Sequence, residues 1–181
     1  MSIEAMNEFL SRENVERHVE YLRTLRLRYS IIEKSVPVIS KMEPPVLLRS
    51  GIDREIKDEA VRLLVSIKSH ELFFRSFASI PILDRYEIKG YSSIDAFLFD
   101  ILLMAREKPS GFIFLYTDRG IPRARFSCLD DRAFIDYEPI LAIDIFEHAY
   151  FNDYGFDRER YLRAALSHLD LTKLGSEGKI S

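Results

Sequence analysis

The run Ile140-Leu141-Ala142-Ile143-Asp144-Ile145-Phe146 sets one carboxylate among apolar side chains. An unpaired buried charge is costly, so Asp144 is expected beside a cation, a metal ion or several hydrogen-bond donors. Four residues on stands His148, and the Asp-x-x-x-His spacing puts both side chains on one face where a helical turn begins there. Alone, the pair fits either a metal site or a core histidine held by an aspartate. Two further imidazoles shift that balance. His18 belongs to the stripe Val15, His18, Leu22, Leu25, Tyr29, and His70 to the stripe Ile56, Ala60, Leu63, Ile67, His70, Phe74, both at helical period. Both histidines therefore face a core, and three imidazoles with one carboxylate at a common point is metal chemistry more often than coincidence. Cys128 is the single cysteine. It can form neither an intrachain disulfide nor a multi-cysteine cluster, so any metal here rests on histidine and carboxylate. His168 stands outside the set and reads as a surface or helix-packing residue.

The elements that must position these residues follow from caps and breakers. Ser11 can cap the first helix, and the stretch from Val36 to Gly51, with Pro37, Pro44 and Pro45, interrupts it. Asp53 offers the next cap. Two helices joined by such a connection most often pack antiparallel, which brings His18 and His70 to one side of one core. Ser92 or Ser93 caps a third helix from about Ile94 to Lys108, which Pro109-Ser110-Gly111 ends. Phe112 to Thr117, Arg123 to Cys128 and Ile140 to Ile143 are short, rich in β-branched and aromatic residues, and predict a small antiparallel sheet. A last helix resumes near Asp157, with Tyr161, Ala165 and Leu169 in period. Helices first and a sheet later make the fold class α+β.

The 181 residues carry 26 Lys+Arg against 29 Asp+Glu, a net charge of −3, which excludes a general polyanion binder and predicts no nucleic-acid partner. No run of about 18 uncharged apolar residues occurs, and Met1 to Glu8 lacks the basic start and apolar run of an export signal, so a cytoplasmic protein without a membrane partner is expected.

Four segments, in order, resemble the iron/manganese superoxide dismutase family. Asp144-Ile145-Phe146-Glu147-His148-Ala149-Tyr150 is similar to the family signature D-x-W-E-H-A-Y, departing at Phe146. Ser69-His70-Glu71-Leu72-Phe73-Phe74 resembles the N-H-x-x-F-W segment of the second helix. Phe9-Leu10-Ser11-Arg12-Glu13-Asn14-Val15-Glu16-Arg17-His18 resembles F-L-S-x-E-x-L-E-x-H of the first, and Ser110-Gly111-Phe112-Ile113-Phe114-Leu115 resembles the strand S-G-W-x-W-L. The resemblance implies an N-terminal antiparallel helical hairpin domain, residues 1–80, followed by an α/β domain with a three-stranded antiparallel sheet, residues 81–181. It also implies one Fe or Mn ion per chain on His18, His70, Asp144 and His148, superoxide as substrate, and a homodimer. The alternative is a divergent metal-binding protein of that fold with a structural, partner-binding or different oxygen-related role.

The departures concern the surroundings of the metal. The family has a Tyr eight residues after the first ligand, a His four after it, and a Gln or His toward the metal-bound solvent; here these positions read Arg26, Leu22, and either Asp130 or Ser66. Such outer groups tune basicity and potential, so metal binding survives their loss more readily than dismutation does. Arg26 reads either as a cation that draws superoxide or another small anion toward the site or as a solvated arginine in the run Arg23, Arg26, Arg28. Asp130 reads as an outer acid or an extra ligand, or as part of the charged turn Asp130-Asp131-Arg132. The chain has no Trp, and Lys68, Phe74, Phe112, Phe114 and Phe146 stand where the family places its pocket tryptophans. The family's cross-dimer His–Tyr pair becomes Leu22 and Phe151. Both polar partners are replaced together, which leaves no buried group unpaired. Glu147, which in the family orients the other subunit's last histidine, is retained beside His148 and is the residue on which the expected dimer rests.

Overall fold

Capping side chains set the helix starts. In the computed structural model, which describes residues 3–79, 88–128 and 134–175, a short helix α1 spans Ile3–Met6. The Ser11 hydroxyl accepts the Asn14 N–H at 3.2 Å and opens α2, Arg12–Ser35. A 3₁₀ turn, Pro37–Lys41, leads to α3, Pro44–Arg49, and the Asp53 carboxylate accepts the N–H groups of Glu55 and Ile56 to open α4, Arg54–Phe73. The Pro-rich connection, expected only to break a helix, also builds one. Pro44 and Pro45 occupy the first turn of α3, where a missing N–H leaves no bond unmade.

His18 meets His70 while Arg28 Nη2 reaches Glu59 Oε1 at 2.8 Å, so α2 and α4 run antiparallel. Val15, His18, Leu22, Leu25 and Tyr29 are all buried on α2, as are Ala60, Leu63, Ile67 and His70 on α4, with Phe74 just beyond its end. Ile56 departs from this stripe: it sits in the first turn of α4 and stays exposed.

Ser93 caps α5, Ile94–Glu107, through the Ala96 N–H. Strands β1, Phe112–Asp118, β2, Ile121–Ser127, and β3, Leu141–Asp144, form an antiparallel sheet in the order β2-β1-β3. Strand β2 starts two residues earlier than expected and contains Pro122. An edge strand tolerates the missing donor, so the proline did not end it. Phe112 pairs with Asp144 and Phe114 with Ala142, which sets these four on one face of the sheet. Two helices follow: α6, Glu147–Tyr154, and α7, Arg158–Ser167, the latter capped by Asp157. A helical hairpin followed by a three-stranded antiparallel sheet with helices is the expected α+β fold. Among the described residues no helix is long and apolar enough to cross a membrane.

Three contacts lock the end of the hairpin to the rest. The Ser76 hydroxyl donates to Leu72 O and accepts the Ala142 N–H of β3, both at 2.8 Å. Phe77 bridges to Leu169, and Asp170 N–H donates to Ser76 O at 2.9 Å. Gly111, at φ +147°, then closes the path to Asp144: its carbonyl accepts the Ile145 N–H at 2.9 Å. A Cβ on Gly111 would lie 2.6 Å from Ser127 O and 2.7 Å from the Phe126 ring. Gly111→Ala is therefore expected to lower stability by about 1–3 kcal/mol, the usual cost of a strained backbone residue, read as a lower denaturant midpoint with an unchanged m-value.

Candidate metal centre

Four elements each deliver one group: α2 His18, α4 His70, β3 Asp144 and α6 His148. Asp144 closes its strand with an Asx turn, Oδ1 accepting the Phe146 N–H at 2.8 Å, and its carbonyl accepts the Tyr161 hydroxyl of α7 at 2.6 Å. The other carboxylate oxygen, Oδ2, is thereby aimed at the hairpin. It lies 3.2 Å from His18 Nε2, 3.2 Å from His148 Nε2 and 3.6 Å from His70 Nε2. His70 Nε2 and His148 Nε2 are 3.3 Å apart, and one ligand atom from each of the four residues lies within 4.8 Å of all the others.

Protonation makes this cluster unusual. His70 Nδ1 is 2.7 Å from Ser66 O, an acceptor only, so that nitrogen carries the proton and Nε2 presents a lone pair. Burial, opposed by the Asp144 charge and aided by His18, lowers His70 to about 4, which keeps the ring neutral at pH 7. Burial alone would raise the Asp144 carboxyl, but His148 and His18 outweigh it and hold it below the ordinary carboxylate range. At His148 burial acts downward, and the Asp144 carboxylate more than offsets it and raises the ring. Asp144 Oδ2 and both His18 nitrogens are buried with no hydrogen-bond partner, the 3.2 Å approach between them lacking hydrogen-bond geometry. A proton shared by His70 Nε2 and His148 Nε2, 3.3 Å apart, leaves Asp144 Oδ2 and His18 Nε2 unanswered. Three imidazole nitrogens and one carboxylate oxygen converging at a largely buried point suit a mononuclear first-row transition ion.

Aromatic rings wall the cluster. Phe73 and Phe74 lie 5.0 and 5.2 Å from the His18 ring, Phe112 5.1 Å from His70, and Phe146 5.4 Å from His148. Asn14, one turn before His18, donates through Nδ2 to Ala149 O at 3.1 Å and to Asp153 Oδ2 at 3.0 Å, tying α2 to α6 beside His148.

Residues 87–176 match the family model described as iron/manganese superoxide dismutases, C-terminal domain. The chain belongs to that family. No curated protein matches it. Asp144 and His148 lie within the matched residues; His18 and His70 come from the hairpin before them, and the fold brings all four together.

The outer residues fall differently. Arg26 does not reach the donor atoms: its Nη2 binds Glu71 Oε1 at 2.7 Å on the outer side of the hairpin. Leu22 is buried in the core, Phe146 stacks on His148, and Glu147 is exposed at the start of α6. Ser66 is buried with its hydroxyl unpartnered, while Asp130 lies outside the described residues. His168 packs on Phe9 at 5.6 Å. Sequence reasoning missed Asn14 and Tyr21. Each stands one turn from His18, and that spacing was the available signal.

Two outcomes follow. Asn14→Ala removes two hydrogen bonds across the α2–α6 contact and is expected to cost about 1–3 kcal/mol in thermal or denaturant unfolding, whereas Asn7→Ala is expected to change little. Asp144 favours the protonated form of His148, so for His148 to bind a metal ion it would have to give up that proton. Calorimetric titration with Mn²⁺ in buffers of different ionisation enthalpy is thus expected to show proton release, and affinity is expected to fall as pH drops and His148 takes up its proton.

Proposed function

We propose that the chain holds one Fe or Mn ion through His18, His70, Asp144 and His148 and uses it to disproportionate superoxide, 2 O₂⁻ + 2 H⁺ → O₂ + H₂O₂. The observation that carries this reading is the convergence of three imidazole Nε2 atoms on one buried carboxylate oxygen in a chain of this family. Bound there, a redox-active ion supplies the exchange of one electron with each of two superoxide molecules. The protein's part is positioning and exclusion. Ser66 O fixes the His70 tautomer, the Phe146 N–H fixes the Asp144 carboxylate, and the phenylalanine rings keep bulk water from three of the four groups. His148, whose side chain is 32% exposed, faces the side from which a small anion and its protons arrive. Arg28 and Arg62 share the single carboxylate of Glu59, a surplus of positive charge that favours such an anion.

A homodimer belongs to the same proposal. Glu147 stands exposed beside His148, where it can reach His148 of a second copy, and Phe151 and Phe156 pack edge-on at 5.3 Å on the surface of the same region. The division into a hairpin domain, 1–80, and an α/β domain, 81–181, and a cytoplasmic location are further parts of it. A second reading, metal binding without dismutation, is favoured by one specific observation: the position eight residues after His18 carries an arginine engaged with Glu71, and the position four after it a buried leucine. Neither can pass a proton.

Cytochrome c competition on the Fe- or Mn-loaded protein separates the two. Dismutation well above that of free metal is expected, falling by at least about 10–100-fold in His148→Ala, since losing a ligand costs no less than losing an outer partner. Activity no greater than free metal, with one ion bound per chain, would establish the second reading.

A further inference from the structure

Three of the four candidate donors are fully enclosed, and the fourth, His148, is the one with an exposed side chain. Phe73 and Phe74 close the His18 side and Phe112 closes the His70 side, all three rings being buried. On the exposed side two rings remain. Phe146 stacks on His148 alone among the four groups, whereas Tyr21 lies 4.6 Å from the His148 ring and 5.3 Å from the His70 ring, spanning both, and is itself 37% exposed. Tyr21 stands three residues after His18, so α2 carries it on the side of the helix that faces the cluster. Among the described residues it is the one ring on these histidines that also bears a hydroxyl.

We propose that Tyr21 is the specificity-determining gate of the site: its ring covers the approach to the ion held by the four groups and sets which small anions reach it and how fast. The inference rests on the metal-centre reading. Its physical basis is a contrast in burial among the described residues: Phe73, Phe74 and Phe112 are enclosed and move only by unpacking the core, whereas the partly exposed Tyr21 ring swings between rotamers without doing so. The gate therefore passes small linear or diatomic anions and rejects bulky ones. Its rate of opening depends on the size of the side chain at position 21 and little on the metal's own affinity.

The test is stopped-flow binding of azide to the Fe(III)- or Mn(III)-loaded protein, followed by absorption, with metal content measured on every sample. Tyr21→Ala is expected to bind azide about tenfold faster than wild type, Tyr21→Phe within about twofold, and Tyr21→Trp several-fold slower, at equal metal content. Size-ordered rates of this kind are not produced by a residue that only supports the fold. Should the alanine variant fold poorly, the tryptophan and phenylalanine variants decide. Azide rates that do not follow side-chain size, with one ion per chain retained, would overturn the gate while leaving the metal centre standing. A wild-type chain that takes up no ion would overturn both.

Discussion

Four electron-pair donors cannot share a buried point unless positive charge lies among them. In this protein His18, His70, Asp144 and His148 meet in that way, and much of the chain is arranged to hold them there. Asp144 is fixed at two points, its side chain by the Phe146 N–H on Oδ1 and its backbone carbonyl by the Tyr161 hydroxyl, so that Oδ2 is left to face the imidazoles. His70 is fixed by the carbonyl one turn below it. His18 has no such partner in the described structure, and its orientation rests on the flanking rings of Phe73 and Phe74.

The donors come from both halves of the fold, which makes cohesion between the halves part of the site's chemistry. The hairpin contributes two histidines and the sheet and α6 contribute the remaining pair. Ser76 against β3, Phe77 against Leu169, and Asn14 against α6 are the joints between them. A displacement of about 1 Å at any of these would spoil coordination geometry long before it disturbed a hydrophobic core. An ion bound across the joints would in turn stabilise the assembled state over the open one, coupling occupancy to folding.

Much of this was legible in the chain. Ser11, Asp53 and Ser93 announce helix starts because capping is local chemistry, and the stripes carrying His18 and His70 announce an inward face because burial follows helical period. Asp144 stood out as a charge in an apolar run. What could not be read is tertiary. The carboxylate that occupies Arg26 lies on α4, and the two rings beside Tyr21 lie on α4 and α6. Helix α3 hid behind prolines that usually break helices but here start one, and α6 was visible only as a helical turn after Asp144. The family signature implied the four candidate donors at once, yet it pointed to positions 22 and 26 for the outer residues, while the structure sets Asn14 and Tyr21 beside the cluster.

The most direct measurement is X-ray absorption at the metal K edge of protein produced with Fe and Mn supplied, paired with elemental analysis. The account predicts about one ion per chain, with the outer-shell scattering of three imidazoles and one carboxylate oxygen in the inner shell. Absence of bound ion, or an ion whose signal is unchanged when Asp144 is replaced by alanine, would contradict it.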